Sequence, residues 1–120
     1  ARFALLYVLG EWNAVTRAAK AEETYRPTAE LLGLSRREQT ITIREKNGTG
    51  EDRPWWPNQA QWARQKLKDI GALASSQHGY WQLSKKGQKQ YELLKTKLKE
   101  SGLSFEKFVE NHVEERRKGG

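Results

Sequence analysis

Three carboxamides, Asn58, Gln61 and Gln65, recur at intervals of three and four residues, the spacing that places side chains along one side of a helix. A carboxamide donates and accepts at once, which is what the N7 and N6 edge of adenine demands in a major groove. Arg64 and Lys68, in the same stretch, supply the charge that suits guanine or a phosphate. The plain alternative is a solvated helix face. Further along, Ser76-Gln77-His78-Gly79 is a small polar turn able to approach a sugar-phosphate backbone closely, or else an ordinary hairpin tip. Lys85, Lys86 and Lys89 open a later helical segment, where the helix dipole disfavours cations, so phosphate contact or solubility must account for them. Arg36, Arg37, Arg44, Lys46 and Arg53 surround a polar loop from which a flanking phosphate is within reach.

Tryptophan offers a second kind of chemistry. Trp55 and Trp56 are adjacent, so on a helix they point about 100° apart and only one can face a core. Trp56 falls on the apolar side, which leaves Trp55 to stack on a base, to enclose a methyl group or to pack beneath the preceding loop. Trp62 lies off the apolar stripe, where an indole serves base or methyl contact or covers a neighbouring helix. Catalysis finds no footing. Cysteine is absent and histidine numbers two, which excludes thiolate zinc sites and histidine clusters; no metal or cofactor is expected. Glu45-Lys46 lacks the spacing of a metal-dependent nuclease motif, and there is no glycine-rich phosphate loop.

The elements that must position these groups follow from periodicity and punctuation. Residues 2–9 read as a helix with Gly10 as its cap, and residues 14–25 as a second helix broken near Arg26 by Pro27, with a short turn to Gly33. Glu38 to Arg44, with Thr40, Ile41, Thr42 and Ile43, reads as a short strand followed by a mobile loop from Asn47 to Arg53. A third helix starts near Pro57 and ends at Gly71, with Trp56, Ala60, Ala63, Leu67 and Ile70 as its core stripe. Two short strands around the Ser76–Gly79 turn form a hairpin in which Trp81 and Leu83 share the inner face. Ser84 caps a fourth helix through Lys99, with Tyr91, Leu94 and Leu98 inward and Lys95, Lys97 and Lys99 in solvent. Ser104 caps a last helix with the stripe Phe105, Phe108, Val109 and Val113, which packs on its own domain or pairs with a second subunit as a homodimer.

The 120 residues suffice for one modest core, and no apolar stretch approaches the ~18 residues of a membrane span. The longest such stretch, residues 3–9, has neither the basic flank nor the cleavage pattern of a signal peptide. The absence of methionine and the start at Ala1 suggest a fragment of a longer chain. The net charge of +7 is concentrated in the last two-thirds: residues 1–34 carry four basic and four acidic groups, residues 35–83 eight and five, residues 84–120 ten and six. Such a surface attracts polyanions by long-range field and counterion release. The expected fold is mostly α with a small β-hairpin: a winged helix-turn-helix over residues 1–101 and a C-terminal helical extension leading to a linker over residues 102–120.

The stretch from Trp62 to Leu73, WARQKLKDIGAL, followed by Gly79-Tyr80-Trp81-Gln82-Leu83-Ser84-Lys85-Lys86-Gly87, resembles the N-terminal winged-helix domain of Mrr-type restriction endonucleases. The likeness runs over residues 54–88; the insert near residues 40–53 and the Trp55-Trp56 pair depart from the family pattern. The resemblance implies a non-catalytic, double-stranded DNA-binding module fused to a nuclease domain in a prokaryotic cytoplasm, with recognition of methylated bases by analogy. On that reading Arg53, Asn58, Gln61, Trp62, Arg64, Gln65, Lys68, Ser76, Gln77, His78, Lys85 and Lys86 contact DNA, and Trp55 or Trp62 lines a modified-base pocket. Two other readings share the fold: a transcriptional regulator, favoured by a palindromic footprint, and a protein-interaction module, disfavoured by steeply salt-dependent DNA binding.

Overall fold

The computed structural model describes residues 1–111, to which all that follows is confined; Val113 and the predicted linker lie outside the described residues. The elements in chain order are α1 (Arg2–Glu11), β1 (Ala19–Lys20), α2 (Ala21–Leu31), α3 (Arg36–Thr40), α4 (Ile43–Asn47), α5 (Trp55–Asp69), β2 (Leu73–Ala74), β3 (Tyr80–Leu83) and α6 (Lys85–Ser101), after which residues 105–111 are helical. The domain is mostly helical with a small three-stranded antiparallel sheet. The predicted hairpin is two-thirds of that sheet: β3 lies in the middle, with β2 on one side and β1, which the sequence reading missed, on the other.

The core is built on α1. Leu5, Leu6 and Leu9 sit against Ala63 and Leu67 of α5, Trp81 and Leu83 of β3, and Tyr91 and Leu94 of α6. Gly10 is not the cap of α1 but a buried residue inside it. A Cβ there would run into the ring of Tyr91, so glycine is required by the close approach of α6. At the end of the same helix the carboxylate of Glu11 accepts hydrogen bonds from the Tyr91 hydroxyl and from Lys95 Nζ. These bonds hold Glu11 below the usual carboxylate range.

Residues 14–25 are not one helix. Asn13 adopts a left-handed conformation at φ 56°, its side chain bonds Thr16, and the chain turns into β1 before α2 begins at Ala21. Pro27 does not break α2 near Arg26; it lies inside the helix, which continues to Leu31 because packing of α2 on α1 and α5 outweighs the lost backbone bond. The strand expected over Glu38 to Arg44 is likewise absent. Ser35 and Glu38 form one capping box, Thr42 and Glu45 another, and each opens a short helix where the β-branched residues favoured extension. Only Thr42 makes an isolated bridge, to Pro54.

Helix α5 begins at Trp55, two residues before the expected start near Pro57. Its inward stripe is Trp56, Ala60, Ala63 and Leu67, all at most 3% exposed. Ile70 does not belong to it: the helix ends at Asp69, Ile70 takes φ −91° and ψ 6°, and its side chain is 39% exposed. Gly71, at φ 79°, then turns the chain into β2. Ser84 caps α6 as expected, its Oγ accepting from Gly87 N at 3.0 Å. Ser104 accepts from Lys107 N, and Phe105 and Phe108 are buried in the same core, with Phe105 against Tyr7 at 5.4 Å between ring centroids. Those two side chains of the proposed subunit-pairing stripe are thus spent within the domain.

Candidate nucleic-acid interface

A cleft of about 750 Å³ opens between the start of α2, one side of α5 and the β2–β3 hairpin. Its floor is α5, from which Gln61, Arg64 and Lys68 face it at intervals of three and four residues. One wall is Lys20, Glu22 and Tyr25; the other is the hairpin from Leu73 to Gln82, including Ser76, Gln77, His78 and Tyr80. Three fixed cations, Lys20, Arg64 and Lys68, face a single carboxylate, Glu22. The cleft is therefore a concave, net positive surface that backbone elements hold open, the form that focuses field on an anionic rod.

The walls are held by the backbone. Lys20 pairs with Tyr80 across β1 and β3, Ala21 N donates to Gly79 O at 2.8 Å, and Tyr80 N donates to Gln77 O at 3.0 Å. Ser76 Oγ donates to Tyr80 O at 2.6 Å and closes the tip on itself. Gly79 takes φ 84°, a conformation costly for other residues, so the glycine in the turn has a backbone reason. The hairpin tip is thereby tied to the first turn of α2 instead of projecting alone.

Tyr25 joins the three sides. Its backbone carbonyl accepts from Trp56 Nε1 at 2.6 Å, its ring lies 6.1 Å from that of Trp81, and its hydroxyl accepts from Gln61 Nε2 at 2.8 Å. Sequence reasoning missed Lys20, Tyr25 and Tyr80. Their place in the cleft depends on β1 pairing with β3, some sixty residues away, and no local pattern carries that pairing.

The predicted site residues divide. Gln61, Arg64, Lys68, Ser76, Gln77 and His78 line the cleft together. Arg64 has its Nε buried without a hydrogen-bond partner, while its Nη1 reaches Gln65 Oε1 at 3.5 Å. Gln65 lies outside the cleft and is occupied on its own helix, Nε2 donating to Asp69 Oδ1 at 2.9 Å. Asn58 is half-buried one turn before the cleft, and Trp62 is 59% exposed beside it. Trp55 is half-buried under the α3–α4 segment, with Lys46 Nζ 4.8 Å above its ring, so one face is already taken. Arg53 pairs with Glu51, Arg44 with Asp52 and Lys46 with Glu38, which spends much of that segment's positive charge internally. Lys85 and Lys86 stand at the start of α6, away from the cleft lining, with Lys86 reaching back over Gly71.

Among the described residues no group of three or more histidine, cysteine or acidic side chains is placed to hold a metal ion, and no helix is long and apolar enough to cross a membrane. A comparison with protein families matches residues 3–92 to the family described as the Mrr N-terminal domain. Neither the curated proteins nor the solved structures contain a match.

Proposed function

The chain belongs to the Mrr N-terminal domain family, and from that membership we propose that it is the double-stranded DNA-binding module of an Mrr-type restriction-system protein, without a catalytic site of its own. The order helix, strand, helix, helix pair, helix, hairpin, helix, with sheet order β1-β3-β2, is read as a winged helix carrying an α3–α4 insertion. In this reading α5 enters the major groove and the Ser76–Gly79 wing lies on the adjacent backbone.

One observation carries the proposal. Lys20, Arg64 and Lys68, from elements far apart in sequence, converge on the cleft where the wing and the exposed side of α5 also meet. Phosphate contacts from these three cations would fix the register, and the cleft side of α5 would then face base edges.

Nuclear magnetic resonance titration with a short mixed-sequence duplex tests it. Amide shifts are expected at residues 20–25, 61–68 and 75–82, with little change over the α3–α4 segment. Shifts confined to α6, or none at low salt, would overturn the assignment and favour the protein-interaction reading.

A second reading concerns modified bases. It rests on the exposure of Trp62, whose indole is free to contact the 5-methyl group of a pyrimidine in the groove. Trp55, one face covered by Lys46, is the weaker of the two tryptophans for this role.

A further inference from the structure

Strand pairing sets Lys20 beside Tyr80 on the wall of the cleft. The two are direct partners in the β1–β3 register, so their side chains leave the same face of the sheet from Cβ atoms about 5 Å apart. The neighbouring pair, Ala19 and Trp81, faces inward and is buried. Alternation therefore turns Lys20 and Tyr80 outward, and Tyr80 is 37% exposed. Among the described residues the Lys20 ammonium makes no ion pair, not even with Glu22, and no hydrogen bond. The Tyr80 hydroxyl likewise makes no hydrogen bond, and its ring stacks on no other.

Local stability does not account for this lysine. Lys20 is the N-cap of α2 and its side chain caps nothing. A serine, threonine, aspartate or asparagine would stabilise the helix there, whereas a cation opposes its dipole. The backbone, by contrast, holds the pair firmly. Ala21 N donates to Gly79 O at 2.8 Å, one residue beyond the pair on each strand, so the spacing of Lys20 and Tyr80 is set before any ligand arrives.

We infer that Lys20 and Tyr80 form one clamp for a single backbone phosphate on the wing side of the duplex. The ammonium donates to one non-bridging oxygen and the phenol to the other. A phosphodiester suits the pair because it carries a full negative charge and only acceptors, while the pair offers a cation and a second, neutral donor. The inference rests on the DNA-binding reading above and deepens it: Tyr80 joins the contacts that position the duplex, and it does so without adding charge.

The test compares Tyr80→Phe, Lys20→Gln and the double variant with wild type in the 120-residue chain, by fluorescence anisotropy on several unrelated duplexes at a series of salt concentrations. Phenylalanine keeps the ring on an exposed face, so a thermal melt close to wild type is expected. Tyr80→Phe should lose roughly fivefold in affinity, the scale of one hydrogen bond to a charged group, on every duplex alike. Its salt slope should match wild type, because a phenol releases no counterion, whereas Lys20→Gln should flatten the slope by about 0.9. In the double variant the tyrosine substitution should cost less than it does alone, since the two donors share one phosphate. Duplexes carrying a single neutral methylphosphonate, moved along each strand, locate that phosphate: at one position wild type should lose most, Tyr80→Phe less and the double variant nothing. Wild-type affinity for Tyr80→Phe, a loss confined to some sequences, additive losses, or no shared methylphosphonate position overturns the clamp and leaves the DNA-binding reading standing. Failure of wild type to bind any duplex at low salt overturns both.

Discussion

Replacing Lys20, Arg64 and Lys68 together by glutamine should change the salt dependence of DNA binding by an amount that the cleft sets in advance. The three cations converge on one surface, and on the proposed reading each displaces one counterion from the duplex. Each phosphate neutralised contributes about 0.9 to the slope of log affinity against log salt, so the triple variant should have a slope smaller by about 2.7. Between 50 and 200 mM salt, a fourfold range, the wild type should therefore lose about 40-fold more affinity than the variant. Fluorescence anisotropy of a labelled duplex, titrated at four or five salt concentrations, measures both slopes. A second triple variant, Lys89→Gln, Lys97→Gln and Lys99→Gln on exposed positions of α6, removes the same net charge away from the cleft. Its slope should stay close to wild type. The reasoning fails if the two triples flatten the slope equally, because the charge would then act as a diffuse field and the cleft would have no privileged role. It fails equally if the cleft variant keeps the wild-type slope while circular dichroism shows it folded.

Other substitutions test the scaffold and the second reading. Gly10→Ala should destabilise the fold by about 1–2 kcal/mol in a urea melt, the overpacking against Tyr91 exceeding the gain in helix propensity; a stability increase would contradict the close approach of α1 and α6. Glu11→Gln addresses pH. Because the folded-state pKa of Glu11 is depressed, its contribution is fully present above the unfolded carboxylate value and is lost as pH falls through the folded value. Wild type should thus lose stability on acidification below about pH 5 more than the variant does, by less than ~1 kcal/mol since the pair is solvent-exposed, and parallel pH profiles would contradict the assignment. Trp62→Ala should leave stability within ~0.5 kcal/mol while lowering any preference for 5-methylcytosine duplex; equal loss of affinity on both duplexes would reject a methyl contact.

What the sequence disclosed, and what it hid, divides along the range of the forces involved. The stripe Trp56, Ala60, Ala63, Leu67 is legible because a helix repeats its buried side every turn, and it failed only at Ile70, where the backbone had already left helical phase. Over residues 38–44 the sequence predicts a strand where the chain forms parts of two short helices. Two local signals competed there, β-branched propensity at Thr40 to Ile43 and the Ser-x-x-Glu and Thr-x-x-Glu spacings beginning at Ser35 and Thr42, and the capping boxes prevailed because each satisfies two backbone donors at once. Pro27 is different in kind: its neighbours give no hint that α2 continues, since the packing that sustains it comes from α1 and α5.

The candidate interface follows the same division. Gln61, Arg64 and Lys68 reach the cleft through their spacing on α5, and Ser76 to His78 through turn chemistry, both local properties. Gln65, which spacing alone ranks with Gln61, is separated from it by a hydrogen-bond partner: Asp69 engages one, and Tyr25 presents the other. That partner is set by the pairing of β1 with β3, which ties the start of α2 to the hairpin beside α5. A helix-face pattern can therefore nominate the amides of a groove-reading helix, but which amide is oriented for reading depends on the element packed beside it. In this domain that element is the first turns of α2, and on the proposed reading substitutions at Lys20 or Tyr25 should alter DNA recognition although neither residue lies on α5, the helix proposed to enter the groove.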